Sequence, residues 1–373
     1  MPKKTTSGTA RKASTPPGSQ APGKAASAGP VTLEEAVALA RAQPGAPAAP
    51  APARRRRALA AAGDAVPFPA RTGSVRQEQQ AALDDELARR ETEYRRTMEI
   101  MAARGARRTA ARKGAGRKSL GAAGASFAPL RVVAEGDSWF DFPLPGHGGG
   151  IIPRLESRLG VPILNLAKAG DEVRLMLGLK ERRSLVEKLT TAVDEGTPWD
   201  LLLFSGGGND IVGDPMALWV RDWRAGAPLD ELFDRRRFSH ALGLIRAGYD
   251  EIIALRDRIS PETHLMFHSY DFAVPDGREA CFFGPWLQPA FIYRGFPDDG
   301  SRHEVVRAML SMFAGELAGL AAVRKVTVLN LQGTLKPDKA SWHDELHPSK
   351  AGFDRVTDVF AVEIRKLFPS RVA

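Results

Sequence analysis

The sequence predicts an α/β protein, a three-layer α/β/α sandwich around a five-stranded parallel sheet, preceded by a long basic N-terminal region. From about residue 128 onward, five short apolar runs alternate with helical patterns. Strands that alternate with helices form parallel sheets covered by helices on both faces. The composition also changes near residue 125, where basic and Ala-rich sequence gives way to this alternation. These observations separate a folded body from the region before it.

The five predicted strands are rich in Val, Leu, Ile and Phe, which is typical of strands buried on both faces. They lie at 129–136, 161–167, 199–208, 263–272 and 325–333. Helical patterns lie between them, the longest at 171–193, 238–259 and 301–323, and a final helix is predicted at 350–368. These elements predict a single domain over residues 127–373.

The N-terminal region divides into three parts. Residues 1–72 are rich in Ala, Pro, Lys and Arg and bury too little apolar surface to fold, so we expect them to be disordered. Within them, residues 32–42 can form a short helix in which Thr32 and Glu35 make a capping box. Residues 75–103 contain no Gly or Pro and predict a charged amphipathic helix, and residues 104–126 are interpreted as a basic flexible linker.

The predicted helix 75–103 carries one narrow apolar stripe along its length. Its members are Leu83, Leu87, Tyr94, Met98 and Met101. A stripe at this spacing suits either docking on the body or self-association of two chains through a short coiled coil.

The positive charge of the chain is concentrated before the body. The whole chain carries +9, of which residues 1–125 carry +13 and residues 126–373 carry −4. The basic tail could therefore contact a polyanion or an anionic membrane, although its Arg-rich runs lack aromatic residues for stacking on bases. A solvated tail with no partner is the simpler interpretation.

Composition also limits the chemistry and location of the protein. The single cysteine, Cys281, excludes an intramolecular disulfide and a cysteine-rich zinc site. No apolar run follows the basic start, and no stretch approaches the roughly 20 apolar residues of a membrane span. We therefore expect a cytoplasmic protein, and no motif implies a metal or an organic cofactor.

Polar residues follow each predicted strand, where the carboxyl ends of parallel strands meet at one edge of the sheet. The sequences are GDSWFD at 136–141, KAGDE at 168–172, GGGND at 206–210 and YDFAVPDG at 270–277, and the last strand is followed by WHDELHP at 342–348. Acyl transfer needs a nucleophile, a base, a residue that orients the base, and donors for the oxyanion. This edge offers Ser138, His347 and Asp344 for the first three roles.

These blocks resemble the SGNH hydrolases, also called the GDSL esterase/lipase family, over roughly residues 129–368. GDS at 136–138, the glycine of KAGD, GGND at 207–210 and DELH at 344–347 match the four blocks of the family in order. The resemblance implies the flavodoxin-like fold of that family and a serine esterase that works through an acyl-enzyme. It also implies Ser138 as nucleophile, His347 as base, Asp344 as its orienting residue, and an oxyanion hole made by Ser138, Gly170 and Asn209.

Other residues of these blocks are candidates for the substrate pocket. Aromatic Trp139 stands where the family often has Leu, which changes the pocket floor. The remaining candidates are Phe140, Asp141, Gly207, Gly208, Asp271 and Trp286. We expect a small-molecule ester of undetermined acyl length as the substrate.

Two alternatives remain open at this point, and two further motif matches are set aside. An acyltransferase would use the same residues with an alcohol in place of water, and a polyanion-binding protein would act through the basic tail. His343 and His347 are spaced like the zinc pair of H-E-x-x-H, but Glu345 is misplaced for that motif and Pro348 follows at once. HGGG at 147–150 lacks the Lys-Ser/Thr of a phosphate-binding loop and is interpreted as a connection.

Overall fold

The computed structural model describes residues 32–42, 72–114, 128–279, 284–297 and 299–372. At the centre lies a five-stranded parallel sheet with the strand order β2-β1-β3-β4-β5. The strands are β1 (Val132–Gly136), β2 (Ile163–Asn165), β3 (Leu201–Ser205), β4 (His264–His268) and β5 (Val326–Leu329). This order reverses direction beside β1, and in open α/β sheets such a switch point is where ligands bind. The predicted five-stranded α/β sandwich is confirmed.

Ten α-helices flank the sheet or precede it in the part of the chain that the structure describes. They are α1 (Leu33–Ala42), α2 (Thr72–Gly114), α3 (Ile151–Leu159), α4 (Val173–Met176), α5 (Leu179–Asp194), α6 (Leu229–Leu232), α7 (Arg235–Ile259), α8 (Gln288–Tyr293), α9 (Asp299–Ala318) and α10 (Lys350–Leu367). Helix α3 packs against α10, while α7 packs against α5 and α9. Parallel strands are joined by right-handed crossovers as a rule, and in this strand order the rule puts the helix after β1 and the helices after β2, β3 and β4 on opposite faces of the sheet.

The core lies between the sheet and its two helical layers. All five residues of β1 and of β3 are buried, as expected for central strands covered on both faces. Aromatic rings from strand and helix meet there. The ring centre of Tyr249 on α7 lies 5.1 Å from that of Phe204 on β3 and 4.9 Å from that of Phe267 on β4. This packing fixes the strand ends that carry the polar blocks.

The two N-terminal helices pack against each other, and α2 docks on this body. In α1 the backbone N–H of Thr32 donates to Glu35 Oε2 (3.1 Å) and the N–H of Glu35 donates to Thr32 Oγ1 (3.2 Å), which is the expected capping box. Arg41 of α1 pairs with Glu93 of α2. Helix α1 is thus the short helix that the sequence allowed at 32–42, and residues 1–31 and 43–71 lie outside the described residues.

Helix α2 is longer than predicted, and part of its apolar stripe packs against the body. It runs through residues 104–114, which the sequence favoured as linker, whereas residues 115–126 lie outside the described residues. Tyr94, Met98 and Met101 are buried, and the Tyr94 ring lies 5.4 Å from that of Trp199. The structure therefore shows this stripe docked on the body, and self-association of two chains stays a prediction.

One helical stretch of the described chain, Gly300–Ala322, is long and apolar enough to cross a membrane by length and composition alone. Its Val305, Met309 and Phe313 side chains are buried in the core, where Phe313 lies 5.5 Å from Tyr270. Packing in the core thus accounts for these apolar side chains, and 39% of the apolar window is buried.

Candidate active site

Strand β1 ends in a tight turn that presents Ser138 at the edge of the sheet. The turn is closed by the Asp141 N–H, which donates to the carbonyl oxygen of Asp137 (3.0 Å). Only glycine fits before it, because a Cβ at Gly136 would stand 2.8 Å from both the Cβ and the carbonyl oxygen of Ser205 on β3. The sequence Gly-Asp-Ser therefore matches a close approach of β1 to its neighbour, in addition to the chemistry of serine.

The structure brings together the three residues that the sequence placed in two separate blocks. Ser138 Oγ lies 2.7 Å from His347 Nε2, and His347 Nδ1 lies 2.9 Å from Asp344 Oδ2. The three side chains are nearly or fully buried. A carboxylate at Nδ1 holds the proton on that nitrogen, which leaves Nε2 to accept the proton of the serine hydroxyl.

A short turn after β5 sets the geometry of the histidine. Asp344 Oδ1 accepts the backbone N–H groups of Leu346 and His347, both at 2.8 Å, so the carboxylate is fixed to the same turn as the ring that it contacts. Burial alone would raise the pKa of Asp344. The hydrogen bonds and the charge interaction with His347, together with these backbone donors, nevertheless hold its pKa below the usual value. Asp344 is thus an ionised acceptor at neutral pH.

Beneath Ser138 lies a second buried carboxylate, Asp137. Its Oδ1 accepts the Ser205 hydroxyl (2.8 Å) and the Trp139 N–H (3.0 Å), and its Oδ2 accepts the Tyr270 hydroxyl. Burial raises the pKa of Asp137 despite these donors. Asp137 therefore ties the turn that carries Ser138 to β3 and to the chain after β4 through hydrogen bonds.

Two of the residues expected to bind an oxyanion, Gly170 and Asn209, lie on loops that are tied together. Gly170 follows β2 with φ of 89°, a conformation that favours glycine. The Asn209 side-chain amide donates to the carbonyl oxygen of Asp171, the residue that follows Gly170 (2.8 Å). Asp210 accepts the N–H of Val173 (2.9 Å), so it braces the same two loops. Since an amide carries two hydrogens, Asn209 keeps a second donor for a ligand.

A mainly apolar cavity of about 40 Å³ opens beside Ser138 and His347. Trp139, Gly208 and Asp271 of the pocket candidates line it, as does Asn209. Its apolar wall comes from the chain after β3 and from helices and loops on the other side of the sheet edge, namely Ile211, Val212, Ala273, Leu287, Val306, Met309, Leu310 and Leu346. The carboxylate of Asp271 is engaged by the N–H groups of Phe272, Gly333 and Leu335, so its main contacts cap turns.

Four pocket candidates lie elsewhere. Phe140 is fully buried in the core against Phe360, so its assignment to the pocket wall is corrected. A Cβ on Gly207 would meet Phe313, so this glycine faces the core. Trp286 packs edge-on against the His347 ring at 5.5 Å, outside the cavity wall.

Asp141, the fourth, pairs with a residue of the N-terminal region. Both of its oxygens accept from Arg90 Nη2 of α2, at 3.2 and 3.3 Å. This aspartate therefore links α2 to the turn that carries Ser138 and does not line the cavity.

The sequence reasoning missed Glu345, the residue after Asp344. Its carboxylate is fully buried and accepts four backbone N–H groups: Oε1 binds those of Gly277 and Gln288, and Oε2 binds those of Trp286 and Leu287, at 2.6 to 3.0 Å. The signal available in the sequence was an acidic residue inside the D-x-x-H block, next to Leu346 and three residues after Trp342. Glu345 thus holds the loop around Trp286 in place, and this loop packs the Trp286 ring against His347, the candidate base.

The histidine spacing that suggested a zinc pair has a different cause. His347 faces Ser138, whereas His343 Nδ1 lies 3.2 Å from His147 Nε2. Among the described residues, no group of three His, Cys, Asp or Glu side chains could hold a metal ion. The glycines after His147 turn their carbonyl oxygens to Arg154 Nη1, at 2.5 to 3.2 Å. They form a structural connection, as the sequence indicated.

Comparison with known proteins gives one family. A model of the GDSL-like Lipase/Acylhydrolase family matches residues 135–355, more than half of the chain and all of the blocks described above. No curated protein matches the chain.

Several solved structures resemble parts of the chain. The lipase Lip_vut3 from a goat rumen metagenome is 16% identical, covers 62% of this chain and 96% of its own, and has a TM-score of 0.41. Est24, a carbohydrate acetylesterase from Sinorhizobium meliloti, is 16% identical over 64% and 100% with a TM-score of 0.38. The aryl esterase of M. smegmatis is 15% identical over 64% and 99% with a TM-score of 0.39.

Proposed function

The chain belongs to the GDSL-like lipase/acylhydrolase family, and from this premise we propose that it is a serine esterase that cleaves a small carboxylic ester through an acyl-enzyme. The observation that carries the proposal is the unbroken line of contacts from Ser138 Oγ through the His347 ring to Asp344. In this proposal residues 127–373 are the hydrolase domain.

The first half of the reaction forms the acyl-enzyme. His347 Nε2 takes the hydroxyl proton as Ser138 Oγ attacks the ester carbonyl, and Asp344 stabilises the imidazolium that results. The protonated ring then gives its proton to the departing alcohol, so the ester C–O bond breaks as the leaving oxygen is protonated. Water attacks the acyl-enzyme in the second half, with His347 again as base, and releases the acid and free Ser138.

The oxyanion requires donors that stand ready before the reaction. We assign the backbone N–H groups of Ser138 and Gly170 and the second amide hydrogen of Asn209 to this role. The bond from Asn209 to Asp171 supports the assignment, because it orients the amide and couples it to the loop of Gly170. Donors fixed in this way stabilise charge without reorganisation in the transition state.

The cavity favours an uncharged and short acyl group. Its volume of about 40 Å³ is that of a few water-sized spheres, and its two carboxylates, Asp137 and Asp271, already accept internal hydrogen bonds. A charged acyl chain would find no free counter-charge in this wall. We therefore expect acetyl to butyryl esters to be cleaved faster than palmitoyl esters.

A covalent probe tests the proposal most directly. The full chain is treated with a fluorophosphonate, which labels activated serines, and assayed with p-nitrophenyl acetate and butyrate. Ser138→Ala should lose both labelling and hydrolysis while keeping its unfolding transition, whereas Ser239→Ala, on the exposed face of α7, should keep both. Labelling or hydrolysis that persists in Ser138→Ala would refute the assignment.

A further inference from the structure

Helix α2 contributes a cation to the rear of the two loops that carry the proposed nucleophile and the proposed oxyanion donors. The Arg90 guanidinium contacts Asp141 of the nucleophile turn through Nη2, at 3.2 and 3.3 Å. Its Nη1 lies 3.4 Å from the carbonyl oxygens of Asn165 and Ala167, where β2 ends. One side chain from outside the hydrolase domain thus spans both loops.

These contacts lie close along the chain to the reacting groups. Asp141 closes the turn that presents Ser138, since its N–H donates to the carbonyl oxygen of Asp137. Ala167 is three residues before Gly170, and the intervening Lys168 N–H donates to the carbonyl oxygen of Gly136 (2.9 Å). A displacement of either contact therefore reaches a proposed catalytic group through three residues or fewer.

Arg90 is itself held in place. Its Nε donates to Glu86 Oε1 one turn earlier on α2 (3.1 Å), and its side chain is 26% exposed. Burial of Asp141 opposes its ionisation and raises its pKa, while the charge of Arg90 acts in the opposite direction. A planar guanidinium with several donors suits this place, because it can bind a carboxylate and backbone carbonyls at once, which an ammonium cannot do with the same geometry.

We propose that Arg90 is a positioning residue of the esterase, supplied by the N-terminal helix, which sets the distance between the nucleophile turn and the Gly170 loop. The inference rests on the proposed function and adds a role for α2 that the four sequence blocks do not contain. It also gives a function to Asp141, the acidic residue of the nucleophile block that takes no part in the cavity.

A neighbouring ion pair supplies the matched control. Glu91, the next residue of α2, pairs with Lys188 of α5 at 2.7 Å, and both side chains are about as buried as those of Arg90 and Asp141. This pair also tethers α2 to the body, but it contacts neither catalytic loop. If Arg90 only anchors the helix, Arg90→Met and Glu91→Gln should have the same consequences for activity.

The experiment compares these variants in the full chain by kcat per fluorophosphonate-labelled site, which counts only competent serines. We expect Arg90→Met to lower kcat about 10- to 100-fold with little change in KM, since small misplacement of catalytic groups has effects of this size. Arg90→Lys should be intermediate, and Glu91→Gln should keep the wild-type kcat. Asp141→Asn should lower kcat too, and the double variant Arg90→Met/Asp141→Asn should be no slower than the slower single variant.

Opposite results overturn the inference. Arg90→Met with the wild-type kcat per labelled site, or the same loss of kcat in Glu91→Gln, would make Arg90 an anchor only. Losses that multiply in the double variant would show that Arg90 does not act through Asp141, which also overturns the inference. Should Arg90→Met fail to fold, the comparison of Arg90→Lys and Asp141→Asn with Glu91→Gln decides in the same way. An unlabelled and inactive wild-type protein would instead refute the proposed function.

Discussion

Replacing Glu345 with alanine is expected to lower both stability and turnover, because this one carboxylate accepts four backbone N–H groups beside His347, the proposed base. The N–H groups of Gly277, Trp286, Leu287 and Gln288 would lose their acceptor. Leu287 is buried, and the other three are only partly covered, so water can replace some of the lost bonds.

The magnitude follows from these exposures. A buried donor left without a partner costs about 1–3 kcal/mol, and partly covered donors cost less. Burial raises the pKa of Glu345, which shows that burying this carboxylate is itself unfavourable and offsets part of the loss. We expect the free energy of unfolding to fall by about 2–4 kcal/mol in Glu345→Ala. Glu345→Gln should lose about half as much, because either orientation of the amide sets an NH₂ against two N–H donors.

The control lies at the other end of the sheet. Arg256 is buried and donates to the carbonyl oxygens of Thr263, Lys325 and Arg324, at 2.8 to 3.1 Å, so it also satisfies several backbone groups with one charge. Arg256→Met should lose comparable stability and keep its kcat. Glu345→Ala should lower kcat as well, because Trp286 is released from the His347 ring.

The assay is urea denaturation, with kcat measured per labelled site well below the transition. An unchanged urea midpoint in Glu345→Ala would refute the claim that these four hydrogen bonds stabilise the fold. A normal kcat alongside the expected loss of stability would refute the coupling of this loop to His347.

The remaining predictions concern the oxyanion donors, the cavity and a buried carboxylate. Asn209→Ala should lower kcat about 10²- to 10³-fold with KM nearly unchanged, and a loss below fivefold in steady-state assays would remove Asn209 from the oxyanion hole. Met309→Ala should shift the preference among p-nitrophenyl esters from acetyl towards hexanoyl, because it enlarges the apolar end of the cavity; an unchanged profile would place the acyl chain elsewhere. Burial raises the pKa of Glu156 to about 7, so its folded form holds a proton that the unfolded chain releases near pH 4.5. Its contribution to stability is therefore lost as pH rises from about 4.5 to 7, and Glu156→Gln, which can still accept the Ile163 N–H, should gain on the order of 1–3 kcal/mol over wild type between pH 5 and 8 in urea titrations. A pH-independent difference would contradict this reasoning.

The local sequence determined the fold and the residues of the proposed site. Alternation of apolar runs with helical patterns is a property of neighbouring residues, and it specified the sheet that the structure contains. The turn chemistry of Gly136 and the block of Asp344 and His347 likewise depend on residues within a few positions of one another. Their meeting at one edge follows from parallel strands, so Ser138 and His347 could be paired without coordinates.

Tertiary structure decided the contacts that join distant segments. Asp141 binds Arg90, which lies 51 residues earlier in the chain, and Glu345 accepts N–H groups of residues between 277 and 288. Neither contact has a periodic or local signal in the sequence. Phe140 shows the converse, because its place after the nucleophile suggested the pocket, whereas the direction of the turn buries it in the core. Spacing along the chain fixes which groups reach the edge of the sheet, but the packing of side chains fixes which of them face the substrate, and that depends on every element around the site.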